Sequence, residues 1–77
     1  MSKQMLFDWI KNHFVKNGVV FELVLIGEYD TEEFNRKLYS VKYDSGEFAE
    51  GVIFEARRNK VSNETNLTAY DAYHFFP

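Results

Sequence analysis

"VVFELVLIGEY" (residues 19–29) decides how this chain is read. The stretch is rich in β-branched and aromatic residues, which favour strands. Only Glu22 and Glu28 interrupt its apolar character, so an extended strand here is apolar on both faces. Such a strand is ordinarily central, with a layer packed on each side. The expectation is therefore a central strand over about 19–29 that requires two covers.

The segment just upstream, "SKQMLFDWIKNHFVKNG" (residues 2–18), supplies one cover. Met5, Leu6, Trp9, Ile10 and Phe14 recur at helical spacing, while Asp8, Lys11, Asn12 and Lys16 fall mostly on the other side. Ser2 suits an N-cap, and Lys16 followed by Asn17-Gly18 suits a helix end. Trp9 and Phe14 are expected in the core.

Downstream, "NRKLYSVKYDSGEFAEGVIFEARR" (residues 35–58) reads as a hairpin turning at Asp44-Ser45-Gly46, with Gly46 supplying a positive φ. Tyr39, Val41 and Tyr43 alternate with Ser40 and Lys42. Phe48, Val52, Phe54 and Ala56 alternate with Ala49, Ile53 and Glu55. Gly51 inside the second arm marks a bulge or a close backbone approach. A two-residue loop places Arg57 near Phe34 and Arg58 opposite Glu33; a three-residue loop places Arg57 opposite Glu33. Either register brings the basic end of the hairpin against Glu32 and Glu33.

The second cover is sought at the end of the sequence. "TAYDAYHFFP" (residues 68–77) holds Tyr70, Tyr73, Phe75 and Phe76 beside His74. Residues 67–76 read as a strand in preference to a helix. Tyr73 and Phe75 or Phe76 are expected to pack on Phe21, Leu23 or Leu25. An interface with a second copy and a contact with a foreign partner are the other readings. The fold class is then α+β: one domain over 1–77, with an N-terminal helix on a three- or four-stranded antiparallel sheet.

Composition narrows the chemistry. A chain of 77 residues buries roughly 60% of the surface it exposes when unfolded. There is no cysteine, so disulfides and thiolate metal sites are excluded. Eight Phe, five Tyr and one Trp provide the apolar mass instead. No run approaches the roughly 20 apolar residues of a membrane span, and Asp8 and Trp9 interrupt the place of a signal peptide. The expectation is a cytoplasmic protein with no membrane partner.

His13 and His74 are the only imidazoles, short of a zinc ligand set. "YDTEEF" (residues 29–34) crowds three carboxylates without the spacing or glycine of a calcium loop. Nothing resembles a catalytic triad, a cysteine nucleophile or a glycine-rich phosphate loop. No catalytic residue, metal or cofactor is therefore assigned, and the expected role is not enzymatic.

Charge leaves two surfaces to weigh. Arg36, Lys37, Arg57, Arg58 and Lys60 form either cross-strand ion pairs with Glu32 and Glu33 or a phosphate- or acid-binding patch centred on Arg57 and Arg58. Glu22, Glu28, Asp30, Glu32, Glu33, Glu47, Glu50 and Glu55 form, alternatively, an acidic face that imitates a phosphate backbone. The net charge of −3 is weak for such mimicry and unfavourable for non-specific nucleic-acid binding. Frequent Asn, Lys, Phe, Tyr and Glu match the usage of AT-rich genomes, where phages and mobile elements encode many short chains. The sequence thus predicts a non-catalytic protein that binds a protein partner or itself. The candidate residues are Arg36, Lys37, Arg57, Arg58, Tyr70, Tyr73, Phe75 and Phe76. The alternative is a nucleic-acid-associated role.

Overall fold

The computed structural model describes residues 2–71. Helix α1 (Ser2–His13) precedes strands β1 (Phe21–Asp30), β2 (Phe34–Tyr43), β3 (Val52–Asn59) and β4 (Thr65–Asp71). The strands form an antiparallel meander in the order β1-β2-β3-β4. The fold is α+β, one helix on a four-stranded antiparallel sheet, as the patterning predicts. The described part of the expected C-terminal strand is β4. Tyr73, Phe75 and Phe76, and their expected packing on β1, lie outside the described residues.

The core lies between α1 and one sheet face. Leu6 and Ile10 are completely buried there with Phe21, Leu23, Tyr39, Val41, Phe54 and Ala56. Phe7 stacks on Phe21 with ring centroids 4.5 Å apart. Burial first, and the Glu28 carboxylate second, push the Tyr39 hydroxyl pKa up. Of the two aromatics expected at the centre, Trp9 is only half-buried and Phe14 is 50% exposed. The helix ends at His13, four residues short of Asn17. Phe14, whose amide still donates to the Ile10 carbonyl at 2.9 Å, stands at the helix end and caps the core edge-on, 5.0 Å from Trp9 and 5.2 Å from Phe54.

The position of β1 also differs from expectation. It is an edge strand, and β2 and β3 are central. Only Phe21 and Leu23 are buried, while Leu25, Ile26 and Tyr29 are exposed. Two-sided apolarity here arises from a bulge. Pairing steps from Leu25↔Tyr39 to Gly27↔Leu38, leaving Ile26 as an extra residue. Phe21, Leu23 and Leu25 take the helix side, and beyond the bulge Gly27 and Tyr29 take the other. A Cβ at position 27 would stand 3.6 Å from Leu38 Cδ1 and 4.0 Å from the Tyr29 ring, so glycine leaves room for both.

A second slip governs the central hairpin. At its tip the Tyr43 amide donates to the Glu47 carbonyl (2.7 Å) and the Ala49 amide to the Val41 carbonyl (2.8 Å), around a three-residue loop. Continued, this pairing would set Tyr39 opposite Gly51, but it lies opposite Phe54. Three residues are therefore inserted on the β3 side. Because the number is odd, the side chains swap faces, and Val52, Phe54 and Ala56 join Ala49 against the core. Gly51 makes the swap with φ +77°, a region that costs an L-residue about 1–2 kcal/mol.

Leu6→Ala or Ile10→Ala should cost about 2–5 kcal/mol in urea unfolding, and Phe14→Ala distinctly less. Gly51→Ala, whose new methyl meets open space, should cost about 1–2 kcal/mol from backbone strain alone. An unchanged midpoint for Gly51→Ala would show that the bulge does not need glycine.

Candidate functional site

The sheet face opposite α1 carries the unusual chemistry. Adjacent rows run across the strands on this face. One is Tyr29–Arg36–Arg57–Asn66, and the next is Gly27–Leu38–Glu55–Thr68. Ile53 pairs with Tyr70, and Phe34 pairs with Asn59. Among the described residues no helix or strand lies over this face.

Glu55 is 1% exposed, a carboxylate at the centre of a sheet. A charge there needs an answering partner, and Arg36 provides it. Arg36 Nη2 and Nε donate to Glu55 Oε2 at 2.6 and 3.1 Å. The guanidinium carbon lies 5.8 Å from the Tyr29 ring centroid. The Arg36 pKa is raised, chiefly by its hydrogen bond to Glu55 and further by that charge and by Tyr70, against the opposing effect of burial.

Arg57 lies directly opposite Arg36. Like charges in that position repel, and the one buried carboxylate beside them is engaged by Arg36. Arg57 is held instead over Phe34, its guanidinium carbon 3.9 Å from the ring centroid, a cation–π geometry. Its Nε is buried and has no hydrogen-bond acceptor among the described residues.

Strand alternation separates the residues expected to act together. Arg36 and Arg57 lie on the face opposite α1, while Lys37 and Arg58 alternate with them onto the helix side. A patch centred jointly on Arg57 and Arg58 is therefore not formed. Nor are the expected pairs with Glu32 and Glu33: Arg57 faces Arg36 and Asn66, and Arg58 faces Asn35 and Thr65. The main chain of Lys60 meets Glu33, its amide donating to the Glu33 carbonyl at 2.8 Å. Lys60 Nζ pairs with Asp30 at 2.8 Å. Tyr70 lies on β4 near Arg36, whereas Tyr73, Phe75 and Phe76 are outside the described residues.

The acidic residues do not assemble into one face. Glu55 is buried, Glu22 shares its side of the sheet, and Glu28 and Asp30 occupy the helix side with Asn35, which donates to both at 2.8 and 3.1 Å. Glu32 and Glu33 sit in the β1–β2 turn, and Glu47 and Glu50 in the β2–β3 connection. His13 ends the helix, exposed, its ring 6.5 Å from that of Trp9. Among the described residues no group of three or more His, Cys, Asp or Glu could hold a metal ion, and no helix is long and apolar enough to cross a membrane.

Sequence reasoning placed Arg36 and Arg57 in the candidate set, assigned Glu55 to an acidic surface instead of a buried centre, and missed Ile26, Tyr29 and Phe48. The signal for Glu55 was present: an acid flanked by Phe54 and Ala56 within an apolar run. Comparison with family models, curated proteins and solved structures returned no match.

Arg36→Met should destabilise the protein by about 2–3 kcal/mol, because it leaves the Glu55 carboxylate buried and unanswered. Arg36 is itself 37% exposed, which keeps the loss below that of a fully buried pair. Adding Glu55→Leu should recover most of it, and a double-mutant cycle by urea unfolding would measure the coupling.

Asp30 gives a pH test. Its hydrogen bonds to Lys60 first and Asn35 second hold its carboxyl below the usual carboxylate range. The pair therefore contributes stability above the unfolded carboxylate pKa, and loses it as pH falls through the lower folded value. Lys60→Met should raise the Asp30 midpoint in an NMR titration.

Proposed function

We propose that this protein is a non-catalytic binding module that engages another protein through the sheet face opposite α1. The observation that carries the reading is the exposure of Ile26, Tyr29 and Phe48, which are 43%, 54% and 48% exposed, with Ile26 and Phe48 about one depression. They stand on the face that also holds buried Leu38, Ile53 and Glu55. Ile26, Ser40, Phe48, Gly51 and Ile53 line a shallow depression there. Exposed apolar groups gathered on one side mark interaction surfaces more often than scattered ones do. Aromatic and arginine side chains are the types enriched at the centres of interfaces.

The nucleic-acid alternative draws less support. Its phosphate patch needs Arg57 and Arg58 together, and they lie on opposite faces. Its acidic mimic needs one continuous face, and the carboxylates are divided between both faces and two connections. The cytoplasmic setting, with a phage or mobile element as source, belongs to the same proposal and rests on composition alone.

The test is capture of partners from lysate by the wild-type chain and by an Ile26→Ser/Phe48→Ser variant, with and without nuclease. Both positions are half-exposed, so the variant should keep its fold, which circular dichroism would verify. A nuclease-resistant partner lost with the variant is the expected result. Retention by the variant would remove this face from consideration. Solution mass shows whether the partner is a second copy.

A further inference from the structure

Building on the proposed binding face, we propose that Arg57 is its anion receptor, and that the partner presents a carboxylate to it beside apolar side chains. Charge is the first ground. Six ionisable groups with settled signs share the face: Arg36, Lys42, Arg57, Glu22, Glu55 and Glu64, the last in the row of Phe34 and Asn59, its carbonyl accepting from the Asn59 amide at 2.8 Å. Arg36 is engaged by Glu55. Lys42 lies opposite Glu22 in the β1–β2 register and 5.8 Å from the Phe48 ring centroid. Glu64 makes no ion pair with Arg57, which is the guanidinium on this face that no carboxylate contacts among the described residues, the ion pairs there being Arg36–Glu55 and Lys60–Asp30.

Preparation is the second ground. Phe34 holds the Arg57 guanidinium against its ring at 3.9 Å, so little side-chain freedom remains to be lost on binding. The group is half-buried, and attraction to an incoming charge is stronger there than in open water. Among the described residues its buried Nε has no acceptor, so the hydrogen-bonding capacity of the guanidinium is not met within them. The planar fork suits a carboxylate in particular.

The surroundings select the kind of carrier. One unpaired guanidinium matches one carboxylate, whereas a nucleic-acid strand brings a phosphate with every nucleotide and would also meet Glu22 and Glu64. Tyr29 and Phe34 beside the two arginines provide apolar contact for groups attached to the carboxylate. An acidic protein segment with aromatic or aliphatic neighbours fits this arrangement.

The experiment uses the whole 15N-labelled chain and follows the Arg57 Nε–H resonance by NMR. The probes are sodium benzoate, its neutral isostere benzamide and oligouridylate, each at matched ionic strength. Benzoate should move the resonance saturably and benzamide should not. In Arg57→Lys, which keeps the charge and loses the fork, benzoate-induced shifts of neighbouring backbone amides should report affinity about tenfold lower, the equivalent of one charge-assisted hydrogen bond. Equal responses to benzoate and benzamide, or unchanged affinity in Arg57→Lys, would overturn the assignment. So would oligouridylate that saturates the site and is not displaced by benzoate, since the carrier would then be nucleic acid. Should Arg57→Lys fail to fold, the comparison of benzoate with benzamide on the wild-type chain decides alone. Failure here with loss of partner capture in Ile26→Ser/Phe48→Ser would leave the binding face standing and remove only its anion.

Discussion

A carboxylate buried at the middle of a sheet has to be answered where it stands, and Arg36 answers Glu55 at 2.6 Å. The pair sits diagonally across β2 and β3, since Leu38 is the residue directly opposite Glu55. That geometry holds only in the observed register. A one-residue slip would turn Glu55 toward Leu6 and Ile10 and send Phe54 and Ala56 to the opposite face. The ion pair therefore adds specificity to a hairpin whose tip and base follow different registers. Hydrophobic burial supplies the larger share of stability, but apolar residues on both faces of β3 would tolerate alternatives that a buried charge does not.

The same pair shapes the surface above it. By engaging the central carboxylate, Arg36 leaves its neighbour Arg57 with an aromatic ring for company. Phe34 has a fixed place because the β1–β2 turn is tightly bonded. The Thr31 amide donates to the Phe34 carbonyl at 2.8 Å, and the Phe34 amide donates to the Thr31 hydroxyl at 3.0 Å. The positions of both cations thus follow from one buried acid and one short turn.

Much of the architecture was legible because its causes are local. The 3.6-residue periodicity of Leu6 and Ile10, the alternation through Tyr39, Val41 and Tyr43, and the glycine at the hairpin tip each act over a few residues. What escaped was long-range or arithmetical. The edge position of β1 depends on which strands pair, and its two apolar faces were split by a bulge at Ile26 that gave no warning of its place. Gly51 was read as a bulge or a close approach, and the bulge is what it makes. The number of inserted residues was not readable, and that number decides whether Arg57 meets Glu33 or Arg36. The candidate site inherited the error: Arg36 and Arg57 were identified by type, while the face they share and the acid between them followed only from the register.

The order of strands in the sheet repeats their order in the chain, and this bears on how the molecule assembles. Each strand meets its neighbour across a short connection, so the hairpins close with little loss of loop entropy. Helix α1 is different. It begins the chain, yet its contacts concentrate on β3, some forty positions along the sequence. The helix has its full seat only where β3 stands in the sheet. Docking of α1 is then the topologically distant contact of the fold, and the one that takes the aromatic face of the sheet out of water.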